Sequence, residues 1–168
     1  MIAPVLGGAR SGKSSVAERL CDGASHVTYV ATASTADGDA DLAARIAAHR
    51  ARRPATWATV EARPSEVVAA VRDTPPGWTV LVESLTTWVA GSPDFMVDAA
   101  GFCAALVGRA PSGDAVVVSD EVGLGVHPST EVGRIFRDRL GELNRQVADV
   151  ADRVLLVVAG RVLPLERL

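Results

Sequence analysis

The chain has 168 residues, of which 48% are hydrophobic and 22% are charged, and its formal net charge at pH 7 is -3. This length and composition predict one ordered globular domain over residues 1–168. The negative balance argues against a general nucleic-acid-binding surface, so any site for anions must be local. No apolar run reaches the roughly 18 residues that a membrane span needs, and the two cysteines lack metal-ligand spacing, so a cytoplasmic protein is expected.

Short valine-rich runs bounded by turn residues recur along the chain. Such continuous runs are typical of strands that are buried on both faces of a parallel sheet. The predicted strands are Ile2 to Leu6, Val27 to Ala31, Val80 to Val82, Ala115 to Ser119 and Val154 to Val158. Pro4 conflicts with the first of them, because proline removes a donor from a central ladder, unless it marks the start of the strand.

Helical patterns separate these runs, and the alternation predicts an α/β fold with a mostly parallel sheet flanked by helices. The predicted helices are Lys13 to Leu20, Asp39 to Arg52, Pro64 to Asp73, Met96 to Arg109 and Thr130 to Ala151. In the last helix, apolar residues spaced four and three apart predict one buried face. They are Phe136, Leu140, Leu143, Val147 and Val150.

A phosphate-binding loop is predicted where the first strand meets the first helix. The pattern G-x-x-x-x-G-K-S is formed by Gly7, Gly8, Ala9, Arg10, Ser11, Gly12, Lys13 and Ser14. Glycines let the backbone amides face phosphate oxygens, and the helix N-terminus adds a positive dipole. Lys13 is the only lysine of the chain and is predicted to reach the outer phosphates, while Ser14 is predicted to bind Mg²⁺.

A phosphate loop of this kind needs an acid at the end of a neighbouring strand to hold Mg²⁺. Glu83 ends one predicted strand, and Asp120 with Glu121 ends another. The carboxyl ends of strands are where ligands bind in open α/β sheets, so both positions qualify, and the sequence does not rank them. The predicted metal ligands are Ser14 and Glu83.

His49 precedes a short run of arginines and allows two interpretations. It shares one face of its predicted helix with Leu42 and Ile46, which fits a partly buried core histidine. Alternatively, a neutral imidazole attacks the α-phosphorus of a nucleotide while Arg50, Arg52 and Arg53 hold the triphosphate. These cations would also favour the unprotonated ring.

Several other nucleotide-binding classes fit less well. A small GTPase needs an Asn-Lys-x-Asp motif, which a chain with a single lysine lacks. Shikimate-type and nucleoside kinases share the phosphate loop but have no need of a histidine followed by arginines. A DNA-dependent ATPase needs a larger basic surface.

Five segments together resemble the bifunctional adenosylcobinamide kinase / adenosylcobinamide-phosphate guanylyltransferase family of cobalamin synthesis. They run in order over nearly the whole chain, which is more specific than the phosphate loop alone. The segments are Gly7 to Ser14, Arg45 to Glu61, Val80 to Val89, Ser119 to Pro128 and Gly133 to Gly160.

The resemblance implies a RecA-like P-loop fold, a homotrimer and two reactions. In the first, ATP or GTP phosphorylates the aminopropanol hydroxyl of adenosylcobinamide. In the second, GTP guanylylates a histidine, and adenosylcobinamide phosphate takes up the guanylyl group to give adenosylcobinamide-GDP. The family's H-R-x-x-R-P pattern places that histidine at His49. The matching also implies nucleotide contacts at Ala33, Ser34, Thr35, Arg50, Ala51, Arg52, Arg53, Glu61 and Glu83.

The chain also departs from the family's pattern. The family commonly has Asn where this chain has Asp120, which adds a negative charge near the expected phosphate path. It commonly has an aliphatic residue at His127 and often Gln at Arg145. Glu121 is a candidate base for the substrate hydroxyl or a metal-positioning group, from its placement alone. A P-loop kinase without the transferase activity and a regulatory nucleotide-binding ATPase remain alternatives, and neither needs His49.

Overall fold

The computed structural model of the chain describes residues 1–33, 54 and 56–167. The predicted helix from Asp39 to Arg52 lies outside the described residues, as do His49 and the arginines that follow it. Among the described residues, no helix is both long and apolar enough to cross a membrane.

The described elements alternate between strands and helices, as predicted. The strands are β1 (Ile2–Gly7), β2 (Val27–Ala31), β3 (Trp57–Glu61), β4 (Thr79–Glu83), β5 (Ala115–Asp120), β6 (Val154–Val158) and β7 (Arg161–Leu165). The α-helices are α1 (Lys13–Leu20), α2 (Val67–Arg72), α3 (Leu85–Ala90), α4 (Ala99–Arg109) and α5 (Glu131–Asp149). Short 3₁₀ helices cover Pro64–Glu66 and Pro93–Phe95.

One seven-stranded sheet joins the strands in the order β3-β2-β4-β5-β1-β6-β7. All neighbouring pairs are parallel except the last, in which β7 runs antiparallel to β6. The predicted fold class, a mostly parallel sheet flanked by helices, is therefore confirmed. Because β5 lies between β1 and β4, the carboxyl ends of these three strands form one edge of the sheet, and the phosphate loop leaves from it.

Two apolar clusters cover the two faces of the sheet. Helix α1 packs on one face with residues such as Val5, Leu81 and Val118. Helices α2 to α5 pack on the other face, where Trp88 and Phe102 are among the largest fully buried side chains. The predicted face of the last helix is confirmed: Leu140, Leu143 and Val147 are buried, and Phe136 and Val150 are half-buried.

Pro4 lies inside β1 rather than at its start. The carbonyl of Ile2 accepts from the amide of Asp152, on the side of β6, and bonding direction alternates along a strand, so Pro4 also faces β6. The β1–β6 register begins only at Val5, opposite Leu155. The missing N–H of Pro4 therefore falls just before the first paired residues of the β1–β6 ladder.

Candidate functional site

The phosphate loop is a tight turn between β1 and α1. Arg10 and Gly12 have φ angles of 57° and 93°, and the amide of Ser11 donates to the carbonyl of Gly8 at 3.2 Å. The β6–β7 turn supports this loop from below, because the amide of Gly160 donates to the carbonyl of Ser11 at 2.8 Å. The loop therefore has a fixed shape, with Gly8, Ala9 and Arg10 exposed at its surface.

Gly7 is required at its position by close packing. A Cβ atom placed on Gly7 would lie 2.5 Å from Ser11 Oγ and 2.6 Å from the main-chain oxygen of Val157 in β6. A Cβ atom on Gly8 would meet nothing within 4 Å. The first glycine of the loop thus lets β1 and the turn approach β6, whereas the second leaves open space in front of the loop.

Lys13 begins α1 and reaches back over the loop. Its Nζ donates to the carbonyl of Gly8 at 3.3 Å and lies 2.5 Å from Asp120 Oδ1. The side chains of Lys13 and Asp120 are 12% and 24% exposed. The only lysine of the chain is thus at the carboxyl edge of the sheet, paired with a carboxylate from β5.

Ser14 and Glu83 also meet at this edge. Ser14 Oγ donates to Glu83 Oε1 at 2.8 Å, which joins the first turn of α1 to the end of β4. The two acids that the sequence left unranked therefore take different partners: Glu83 contacts Ser14, and Asp120 contacts Lys13.

Asp120 is held by its main chain on both sides. The β4–β5 ladder ends at Glu83 and Val118, and beyond it the amide of Asp120 donates to Thr86 Oγ1 at 2.9 Å. The carbonyl of Asp120 accepts from Asn144 Nδ2 at 3.0 Å. Side chains of α3 and α5 thus replace the missing strand partner and fix the end of β5 beside the loop.

Glu121 follows Asp120, but its carboxylate contacts Gly123 instead of Lys13. Its amide donates to the carbonyl of Gly7 at 3.1 Å, and its Oε1 accepts from the amide of Gly123 at 2.6 Å. Its side chain borders a cavity of about 410 Å³ between α5 and the β6–β7 hairpin, together with Leu6 and Asn144. Of these two neighbouring acids, only Asp120 forms an ion pair with Lys13 in the described structure.

A cluster of hydroxyl groups fixes the main chain next to Glu83. The amide of Thr32, directly after β2, donates to the carbonyl of Glu83 at 3.1 Å. Thr32 Oγ1 accepts from the amide of Ser84 at 2.8 Å and lies 2.6 Å from Thr87 Oγ1. Ser84 Oγ accepts from the amide of Thr87 and caps α3. The end of β2 and the start of α3 therefore hold Glu83 at the sheet edge.

The remaining predicted contacts fall in two groups. Glu61 ends β3 and lies opposite Ala31 in register, while Glu83 lies opposite Ala31 on its other side. Ala33 follows β2 at the same edge and is half-buried. The other predicted nucleotide contacts lie outside the described residues, namely Ser34, Thr35, Arg50, Ala51, Arg52 and Arg53.

Sequence patterns missed the residues that support the site. In the part of the chain that the structure describes, the side chains of Thr86 and Asn144 bond to the main chain of Asp120, and that of Thr32 bonds to Ser84 and Thr87. These partners are distant in sequence, so no motif marks the three residues. Asn144 does leave one signal: it is 6% exposed and lies on the apolar face of α5, four residues after Leu140. A buried amide on such a face needs a specific partner.

A family model and several known proteins match the chain in sequence. The family model described as cobinamide kinase / cobinamide phosphate guanyltransferase matches residues 3–165. The bifunctional adenosylcobalamin biosynthesis protein CobP of Pseudomonas aeruginosa is 40% identical over 169 residues, covering 96% of this chain and 95% of that protein. The bifunctional adenosylcobalamin biosynthesis protein CobU of Escherichia coli is 38% identical, covering 95% and 97%. That of Salmonella typhimurium is 35% identical, with the same coverage.

Solved structures share the fold at much lower identity. A protein of Pyrococcus horikoshii OT3 has a TM-score of 0.52 at 8% identity, covering 97% of this chain and 84% of that protein. A prototypical ATPase from the type III secretion system of pathogenic bacteria has a TM-score of 0.55 at 14% identity, covering 92% and 51%. At such identities the likeness extends to the fold alone.

Proposed function

The chain belongs to the cobinamide kinase / cobinamide phosphate guanyltransferase family, and we propose that both of its reactions use the sheet edge around Lys13. It is a bifunctional transferase of cobalamin biosynthesis. One reaction phosphorylates adenosylcobinamide on its aminopropanol hydroxyl with ATP or GTP. The other transfers GMP from GTP to adenosylcobinamide phosphate and gives adenosylcobinamide-GDP.

The observation that carries the kinase site is the convergence of Lys13, Ser14 and Glu83 on one edge of the sheet. The loop from Gly7 to Ser14 turns its exposed part outward, at the start of α1, where backbone amides and the helix dipole favour phosphate. Lys13 adds a cation at the outer-phosphate end. Phosphoryl transfer depends mainly on positioning and charge stabilisation, which this arrangement supplies.

Mg²⁺ is the proposed metal, and the oxygen atoms present fit it. Ser14 Oγ and Glu83 Oε1 are 2.8 Å apart. Neighbouring ligands of an octahedral ion at roughly 2.1 Å are about 3 Å apart, and Mg²⁺ prefers oxygen. We propose that Ser14 binds the ion directly and that Glu83 holds it directly or through water. The ion would offset negative charge on the nucleotide phosphates.

In the kinase step, the substrate hydroxyl oxygen bonds to the γ-phosphorus, and the bond from that phosphorus to the leaving nucleotide diphosphate breaks. Lys13 stabilises the charge that develops on the phosphate oxygens. The hydroxyl proton must pass to a base, and Glu121 is the proposed acceptor, since it follows the end of β5 at the same edge.

In the transferase step, we propose that a ring nitrogen of His49 attacks the α-phosphorus of GTP. A nitrogen–phosphorus bond forms, and pyrophosphate leaves. An oxygen of adenosylcobinamide phosphate then attacks the same phosphorus and releases the histidine, so a difficult coupling becomes two displacements. The support for His49 is its place in the H-R-x-x-R-P pattern, and Arg50, Arg52 and Arg53 are proposed to hold the triphosphate.

The oligomeric state, the location and the class of substrate are further proposals. We propose a homotrimer, which rests on the family resemblance, and a cytoplasmic location, where ATP and GTP are available. The net charge of -3 favours small-molecule substrates over nucleic acid. Light scattering coupled to gel filtration tests the trimer, and a monomeric mass would refute it.

One pair of variants tests the division of labour. His49→Ala is expected to keep phosphorylation of adenosylcobinamide and to lose formation of adenosylcobinamide-GDP. Lys13→Ala is expected to reduce phosphorylation strongly, at least about a hundredfold. Both products are separated chromatographically after incubation with GTP and corrinoid. Unchanged phosphorylation in Lys13→Ala would remove the loop from the mechanism, and guanylyl transfer by His49→Ala would remove the histidine.

A further inference from the structure

Lys13 already has an anionic partner in the described structure. Its Nζ is 2.5 Å from Asp120 Oδ1, and both side chains are largely enclosed, with exposed fractions of 12% and 24%. A pair shielded to this degree is screened less by water and salt than a surface pair. The attraction between the two charges is therefore stronger than in an exposed ion pair.

Asp120 cannot easily withdraw from this position. Its amide donates to Thr86 Oγ1 at 2.9 Å, and its carbonyl accepts from Asn144 Nδ2 at 3.0 Å. Asp120 also lies opposite Gly7 in the β1–β5 register. Because three elements fix the main chain, the carboxylate stays near the phosphate loop when Lys13 leaves it.

A nucleotide phosphate and the Asp120 carboxylate require the same cation. We infer that Asp120 is a resident anion that competes with the outer nucleotide phosphates for Lys13 and so limits nucleotide affinity and speeds nucleotide release. The inference rests on the proposed binding of nucleotide at the Gly7–Ser14 loop.

Two physical effects act in the same direction. Nucleotide binding must transfer Lys13 from the carboxylate to a phosphate, so part of the new interaction replaces an existing one. The carboxylate then remains close to the bound phosphates and repels them. When the nucleotide leaves, Asp120 takes Lys13 back, which favours dissociation. Both effects require outer phosphates, so a nucleoside monophosphate is expected to feel them little.

Asp120→Asn tests the inference, because it removes the charge and retains the shape and main-chain contacts. The ligand is the α,β-methylene analogue of GTP, whose α-phosphorus is blocked from transfer to His49. Calorimetry with Mg²⁺ is expected to give at least about fivefold tighter binding than the wild type, and stopped-flow a slower dissociation. GMP is expected to change by less than about twofold, since it lacks outer phosphates.

Two matched comparisons separate competition from general charge effects. Glu121→Gln removes a neighbouring carboxylate that contacts Gly123 and not Lys13, so it is expected to tighten binding of the analogue much less. In a Lys13→Met background no cation is contested, so Asp120→Asn is expected to give a smaller gain than in the wild type. Asp120→Ala serves as a second variant if Asn disturbs folding.

Three results would overturn the inference: equal or weaker binding by both Asp120 variants, an equal gain in Glu121→Gln, or an undiminished gain without Lys13. Its failure is distinguishable from that of the proposed function. A wild-type protein that binds no analogue refutes both, whereas a wild type that binds normally, with unresponsive Asp120 variants, refutes only the competition.

Discussion

Gly7→Ala is expected to destabilise the protein, whereas Gly8→Ala is not. A Cβ atom on Gly7 would lie 2.6 Å from the main-chain oxygen of Val157 and 2.5 Å from Ser11 Oγ. Ser11 is itself 8% exposed, and Val157 is fully buried in β6, so neither can move without disturbing the sheet or the loop. The neighbouring Gly8 has open space around the same position.

The magnitude follows from the size of the overlap. Ordinary contacts of a Cβ atom begin near 3.4 Å, so β1 and β6 would have to separate by several tenths of an ångström. Inserting one methyl group into packed structure costs about 1–3 kcal/mol. For a chain of this length, about 2 kcal/mol corresponds to a fall in Tm of roughly 4–8 °C.

Urea and thermal unfolding, followed by circular dichroism, measure this cost. Both variants are compared with the wild type without nucleotide, so that any loss of phosphate binding does not enter. Gly8→Ala is the matched control and is expected to stay within about 0.5 kcal/mol of the wild type. Equal stability of the two variants would show that the close approach of Gly7 to β6 is not a real constraint.

Three other predictions concern the core, the metal and alkaline pH. Arg109→Met should lower the free energy of unfolding by about 2–4 kcal/mol in urea titrations, because the enclosed guanidinium donates to three carbonyls within residues 71–78; a near-neutral result contradicts this. Ser14→Ala and Glu83→Gln should each raise the Mg²⁺ concentration for half-maximal kinase activity by at least about tenfold. An unchanged requirement would exclude this metal site. Burial raises the pKa of the Cys21 thiol from 9.0 to about 12. The contribution of the protonated thiol to the free energy of unfolding is therefore complete below pH 9.0, and it is lost as the pH rises towards 12, because the thiol ionises more easily in the unfolded chain. Cys21→Ala should therefore flatten the alkaline decline in unfolding free energy, and an equally steep decline would refute the assignment.

Local patterns predicted the parts of the fold that bury continuous apolar runs. All five predicted strands are present, and four of the predicted helices lie among the described residues at nearly the expected positions. Strand β3 was missed because it is an edge strand with mostly exposed residues, so its sequence lacks a buried run. Helix α3 was missed because its six residues follow β4 after a single serine.

Strand β7 was missed for two local reasons. Pro164 argues against a strand, yet β7 is an edge strand, where a missing donor is tolerated. The turn before it is formed by Ala159 and Gly160, whose φ angles are 49° and 73°. A two-residue hairpin turn with positive φ at both positions usually shows Asn-Gly or Asp-Gly, so this sequence gives little warning of it.

Those site residues that belong to one continuous motif were predictable from the sequence. The loop from Gly7 to Ser14 identified Lys13 and Ser14 because strand, loop and helix follow one another directly. The partners of these residues lie on other strands, and only the sheet order decides that Glu83 contacts Ser14 and Asp120 contacts Lys13. Residues that hold an acid by its main chain, such as Asn144, carry no motif at all.

The most direct test of the central claim is covalent labelling by GTP that carries its label on the α-phosphate. The wild-type protein is expected to acquire an acid-labile, alkali-stable label, and adenosylcobinamide phosphate is expected to discharge it into adenosylcobinamide-GDP. His49→Ala, folded by circular dichroism and active as a kinase, is expected to acquire none. Label that persists in His49→Ala, or its absence from a wild type that phosphorylates adenosylcobinamide, would contradict the account.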